Sequence, residues 1–222
     1  MVGWRERVAR EKTARFADQK YWGRPLPGFG DPEARLLILG LAPAAHGGNR
    51  TGRIFTGDRS GDFLYSSLHR IGVANQPASI SRDDGLELSG AYVAAAVRCA
   101  PPGNAPTPTE RGNCMPYLVR EIDALTQLRA MVALGGFAWD AALLAIAANH
   151  GRVRPKPRFG HGIVVDAGPF KLFGCFHPSQ QNTFTGRLTE PMIDDVIGRA
   201  CRAAGLRPRR PPRRRSIRSP EP

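Results

Sequence analysis

Short runs of consecutive apolar residues recur along the chain, and between them the apolar positions fall at helical spacing. Leu36-Leu37-Ile38-Leu39 is bounded by charged residues and Gly40, is too short for an ordinary helix, and predicts a buried strand at 35–40. Tyr92-Val93-Ala94-Ala95-Ala96-Val97, Ala130-Met131-Val132-Ala133-Leu134 and the run at 170–176 read the same way, with a shorter strand near 163–166. Helices are expected over 3–16, where Trp4, Val8 and Phe16 punctuate charges, over 61–72, from about 108, from Gly136 to about 148, and from about 189 to 204. Thr107, Pro108 and Glu110 supply a cap, an N1 proline and a capping-box acid for the third of these. Residues 21–30, rich in Gly, Pro and aromatic side chains, read as an irregular loop. Strands alternating with helices predict an α/β fold whose mainly parallel sheet is covered on both faces.

With 222 residues the chain suits one domain, 1–205, followed by a tail, 206–222. A chain of this size buries about 70% of its unfolded surface, so a full core is available. From Arg207 onward there are seven Arg, five Pro and one Glu with almost no apolar side chain, a composition that predicts disorder. The net charge is +13, and without those terminal residues 25 basic and 18 acidic side chains still leave +7. An excess of that size favours a polyanionic partner, because Lys and Arg that neutralise phosphates release condensed counterions. The plain alternative is a composition rich in Arg, Ala and Pro with no such partner. No stretch approaches the roughly 20 apolar residues that cross a bilayer, and Trp4-Arg5-Glu6-Arg7-Val8 is too charged for a signal peptide. A cytoplasmic monomer with no membrane partner is expected.

Two loops carry the chemistry. Gly40-Leu41-Ala42-Pro43-Ala44-Ala45-His46-Gly47-Gly48-Asn49-Arg50-Thr51-Gly52-Arg53-Ile54-Phe55-Thr56-Gly57-Asp58 leaves the first buried strand, and His177-Pro178-Ser179-Gln180-Gln181-Asn182 leaves the last. Open α/β sheets bind ligands outside the carboxyl ends of their strands, so both loops would meet at one edge. Phe55 lacks the periodicity of a core segment and suits a platform for a flat ring, although a core residue under the loop is the plain alternative. Pro178 fixes the turn that aims the His177 imidazole, a donor able to stabilise negative charge as it develops. Asp58 is the one carboxylate of the first loop, able to activate water or balance an oxocarbenium-like cation, or simply to cap the helix that follows. Asn104 reads a polar edge, holds water, or forms a turn. Arg50, Arg53 and Arg187 are candidate phosphate clamps, with solvated surface charge as the alternative.

These loops, together with Ala96-Val97-Arg98-Cys99-Ala100-Pro101-Pro102, Asn104, Pro106-Thr107-Pro108 and the stretch to Leu188, resemble the type-5 uracil-DNA glycosylases, the B-type branch of the uracil-DNA glycosylase superfamily. The resemblance spans Trp4 to about Ala204. It implies a three-layer α/β/α sandwich around a short, mainly parallel sheet, and a DNA repair enzyme that flips uracil, and other deaminated bases such as hypoxanthine, out of DNA and cuts the N-glycosidic bond. By motif position it implies Asp58, Asn104 and His177 as catalytic residues, Gly40, Ala42 and Phe55 at the base, and Arg50, Arg53, Ser179 and Arg187 at the DNA. Ala42 stands where better-known relatives place a catalytic Asp. No Lys lies within the motifs to form a Schiff base, so excision without strand cleavage is expected. A non-catalytic DNA-binding relative and a small-molecule nucleoside hydrolase are the alternatives; the retained polar set speaks against the first, the basic body against the second.

The same resemblance implies a 4Fe-4S cluster, and here the chain departs from the pattern. Cys99 and Cys114 match two of its ligands, but the Cys-x-x-Cys pair that would precede Trp4 is absent from the chain as given. Such clusters take four thiolates, and neither Cys175 nor Cys201 has ligand spacing, so both read as core residues. Either the start lies upstream of Met1 or this member has lost its cluster; the retention of both Cys99 and Cys114 favours the first.

Overall fold

The computed structural model describes residues 1–207, so of the expected tail only Leu206 and Arg207 fall within it. In chain order the elements are α1 (Val2–Glu11), β1 (Phe29–Gly30), β2 (Leu36–Gly40), α2 (Gly48–Thr51), α3 (Arg59–Ile71), β3 (Ala91–Ala95), α4 (Pro108–Ala124), β4 (Ala130–Leu134), α5 (Gly136–His150), β5 (Val164–Ala167), β6 (Phe170–Cys175), α6 (Gln180–Phe184) and α7 (Glu190–Ala203). The six strands form one sheet in the order β1-β3-β2-β4-β6-β5. The four inner strands are parallel, in register Leu36 to Ala91 and Leu36 to Ala130, while β1 and β5 close the edges antiparallel.

Strand alternation builds the two cores. Leu36 and Ile38 pack with Leu64, Tyr65 and Leu68 of α3 and with Ile193, Val196 and Ile197 of α7. Leu37 and Leu39 turn to the other side, against Leu118 and Ile122 of α4 and Trp139, Ala142 and Ile146 of α5. Every residue of β2 is buried, as expected for a parallel strand covered on both faces. The result is the α/β/α sandwich. Cys175 and Cys201 sit in the first of these cores, where burial pushes their thiols up to about 12 and about 11. They are small apolar residues there, as the spacing suggests.

Thr107 and Glu110 form the reciprocal capping box at the start of α4, with Pro108 at N1. Other boundaries differ from the pattern. The first helix ends at Glu11, because Lys12 takes φ 56°, and a separate 3₁₀ turn covers Ala14–Phe16. The single-turn helices α2 and α6 escape sequence periodicity because each is shorter than two turns. Leu206 packs on the core, its N–H bonded to the Cys201 carbonyl.

Candidate active site

Strands β2, β3, β4 and β6 deliver their C-terminal loops to one edge of the sheet, and a cavity of about 560 Å³ lies there. It is lined from the first loop by Leu41, Ala42, Ala44, Phe55 and Asp58, and from the last by His177, Ser179, Gln180 and Gln181. Asn104, from the turn after β3, closes one side.

Phe55 owes its place to two glycines and a strained backbone. Its φ is 52°, in the left-handed region that a bulky residue rarely enters. A Cβ on Gly40 would come within 2.6 Å of the Phe55 ring, and one on Gly61 within 1.8 Å of its carbonyl oxygen. Both the ring seat and the loop path therefore require Gly. The segment is tied from beneath: the Tyr65 hydroxyl donates to the Ile54 carbonyl at 3.1 Å, and Thr56 and Ser79 share a 2.7 Å hydroxyl bond. Phe55 is thus both a buried residue and a wall of the cavity, and the two readings of it coincide.

The His177 ring faces that of Phe55 at 5.9 Å between centroids, tilted by 33°. Asn182 fixes the turn by donating its side-chain N–H to the His177 carbonyl at 2.8 Å. Burial pushes the His177 imidazole down to about 4, so at neutral pH it is an uncharged ring carrying one N–H. Asp58 accepts from the Gly61 N–H at 3.0 Å as the N-cap of α3. Its other oxygen lies against Gly47, where a Cβ would clash at 2.1 Å. Burial, opposed by the Gly61 hydrogen bond and helped by the charge of Asp62, raises the carboxyl above its usual range. The cap of α3 and the carboxylate on the cavity wall are one residue. Asn104 takes φ 56° in its turn, is exposed, and lines the cavity, so turn-former and polar wall also coincide.

The arginines divide. Arg53 is not available to phosphate: it is 4% exposed and donates to Ser79 Oγ at 2.9 Å, to Asp84 Oδ1 at 2.8 Å and to the Arg82 carbonyl. The expectation of a clamp fails there because the guanidinium holds two loops together. Arg50 is a brace as well, donating to the His46 and Gly57 carbonyls and to Gln19 Oε1 while packing on Phe16. Arg187 is exposed and lies over Phe176, outside the cavity wall, and Ser179 caps α6 from within it. Gly40 acts through its missing side chain, and Ala42 contributes an apolar wall. Sequence reasoning passed over Arg59, Ser60, Gln180 and Gln181, which also line the cavity. Adjacency to Asp58 and Ser179 was the one available signal.

Cys99 is buried, and its Sγ accepts from Arg5 Nη1 at 3.0 Å. Cys114 on α4 is its neighbour: burial raises that thiol, and the charge of Cys99 adds to the rise. Among the described residues no third metal-binding side chain joins them. Two thiols meet half of a four-thiolate requirement, so the residues present do not complete a site for the implied cluster.

The uracil DNA glycosylase superfamily profile matches residues 27–199. A type-5 uracil-DNA glycosylase of Mycobacterium bovis is 57% identical over 208 residues, covering 93% of this chain and 76% of the relative. One from Thermus thermophilus is 49% identical over 207 residues, covering 93% and 92%. A type-4 uracil-DNA glycosylase of Archaeoglobus fulgidus is more distant, 28% identical over 186 residues, covering 79% and 81%.

Proposed function

The chain belongs to the uracil DNA glycosylase superfamily, and from that premise we propose how its cavity removes uracil from DNA: by hydrolysis of the N-glycosidic bond with Phe55, His177, Asp58 and Asn104 around the base. The observation that carries this assignment of roles is the pairing of the Phe55 and His177 rings across one cavity with Asp58 on its wall. A flipped base stacks on Phe55, an interaction worth about 1–3 kcal/mol per base. His177 then donates to the base carbonyl oxygen. Because the ring is neutral, it offers a hydrogen bond that strengthens as the departing base becomes an anion, which is where such a donor lowers the barrier. Asp58, once ionised, balances the cationic sugar or takes a proton from water, and Asn104 holds that water or reads the base edge.

Hypoxanthine and other deaminated bases fit the same mechanism. Part of the wall, Leu41, Ala42 and Ala44, offers no side-chain donor or acceptor that a larger base would have to match, which supports a range wider than uracil.

The test is a uracil-containing duplex, with products resolved before and after alkali. An abasic product that nicks only after alkali is expected, and nicking before alkali overturns the monofunctional reading. His177→Ala should slow excision by roughly 10²–10³-fold, the usual loss for one donor to a developing anion, with DNA affinity nearly unchanged.

A further inference from the structure

The base cavity opens into a second depression of about 790 Å³, and Ala44, Asp58, Arg59, Asn104 and Gln180 line both. A nucleotide whose base occupies the first can pass its sugar and phosphates along this shared wall, which makes the second depression the candidate path of the strand. Arg15, Phe16, His46 and Ile80 face it from the other side. Its cationic side chains are partly committed: Arg50 braces the first loop, and Arg59 packs over Phe184 at 4.9 Å.

His46 is held differently. Its Nδ1 lies 2.9 Å from the hydroxyl of Tyr21, a residue 8% exposed, and the rings meet edge-on at 80°. Among the described residues that hydroxyl has no other hydrogen-bond partner. A buried phenol that only accepted would leave its own proton unpaired, so Tyr21 donates and Nδ1 accepts. This fixes the neutral imidazole as the tautomer protonated at Nε2, the ring atom remote from Tyr21. The next residue, Gly47, touches the Asp58 carboxylate.

We propose that His46 binds a backbone phosphate of the strand leaving the base cavity, through Nε2–H, and that Tyr21 is the positioning residue that sets its tautomer. The proposal rests on the uracil-excision reading only in taking the ligand to be DNA. One hydrogen bond from a neutral donor to a charged phosphate corresponds to roughly tenfold or more in affinity.

The experiment compares the full chain with His46→Ala, His46→Gln and Tyr21→Phe. Single-turnover excision is followed over a range of enzyme concentrations and salt, and anisotropy gives affinity for undamaged duplex. His46→Ala should raise the half-saturating enzyme concentration about tenfold. The limiting rate should stay within about threefold, and the slope of log affinity against log salt should not change, because a neutral donor releases no counterion whereas loss of a cation would flatten it by about 0.9. His46→Gln, which keeps an N–H, should recover most of the loss. Tyr21→Phe should give a smaller rise in the same direction. Nitrogen-15 NMR of histidine-labelled protein should show His46 protonated at Nε2, and a tautomer mixture in Tyr21→Phe. An Nδ1–H tautomer in the unmodified chain overturns the proposal, and that measurement requires no variant to fold. So does an unchanged half-saturating concentration in His46→Ala, or a fall in limiting rate alone. If the unmodified chain excises no uracil, the functional reading fails while the anisotropy data still decide the phosphate contact.

Discussion

Protonating His177 should destabilise the fold, and the size of the effect follows from its burial. Its imidazole titrates near 6.5 when unfolded and at about 4 in the folded chain, so the unfolded state binds the proton more readily. The stability that comes from keeping the ring neutral is present above the unfolded value and is lost as pH falls toward the folded one. Between pH 7 and pH 5 the shift corresponds to a loss of about 2 kcal/mol, approaching about 3 kcal/mol below both values. Burial also pushes the His161 imidazole down, so pH acts on more than this one ring. The decisive quantity is therefore a difference between proteins. Urea unfolding, followed by tryptophan fluorescence at pH 7 and pH 5, should show the unmodified chain losing about 2 kcal/mol more than His177→Gln. Parallel losses would refute the premise that the ring is held neutral, and with it the argument that His177 acts as an uncharged donor.

Gly40→Ala places a methyl 2.6 Å from the Phe55 ring and should displace it, lowering single-turnover excision by roughly tenfold or more through lost stacking; unchanged excision would show that the ring is not the platform. Asp58→Asn keeps an N-cap for α3, so thermal stability should stay close to that of the unmodified chain while excision falls by about 10²–10⁴-fold. Because burial raises the Asp58 carboxyl, the acid limb of the excision rate should lie above the ordinary carboxylate range and vanish in this variant; a rate profile that keeps the limb assigns it elsewhere. Arg53→Met should cost about 1.5–3 kcal/mol in urea unfolding, since it removes the guanidinium's charge-assisted bonds while Asp84 keeps its backbone donors, yet leave the salt dependence of DNA binding unaltered; a flatter salt slope would return Arg53 to the DNA surface.

Strand and helix types were legible in the sequence where the local signal was complete. Leu36-Leu37-Ile38-Leu39 can only be satisfied by burial on both faces, and Thr107-Pro108-Glu110 satisfies the backbone of α4 with side chains three residues apart. The meeting of the two loops was legible as well, because parallel strands place their C-terminal ends on one edge. Local sequence could not reveal which arginine faces DNA. Arg50, Arg53 and Arg187 look alike along the chain, but only packing decides that Arg53 finds Ser79 and Asp84, residues some thirty positions away, before it can find solvent. The Tyr21–His46 bond and the seat of Phe55 over Gly40 are likewise tertiary facts, spanning loops whose separation in sequence carries no periodic signal. Sequence determined the elements and the residues offered to the site, because hydrophobic burial and capping act over a few neighbours. Tertiary structure decided what each polar group does, because hydrogen bonds and desolvation depend on whichever distant residue arrives beside it.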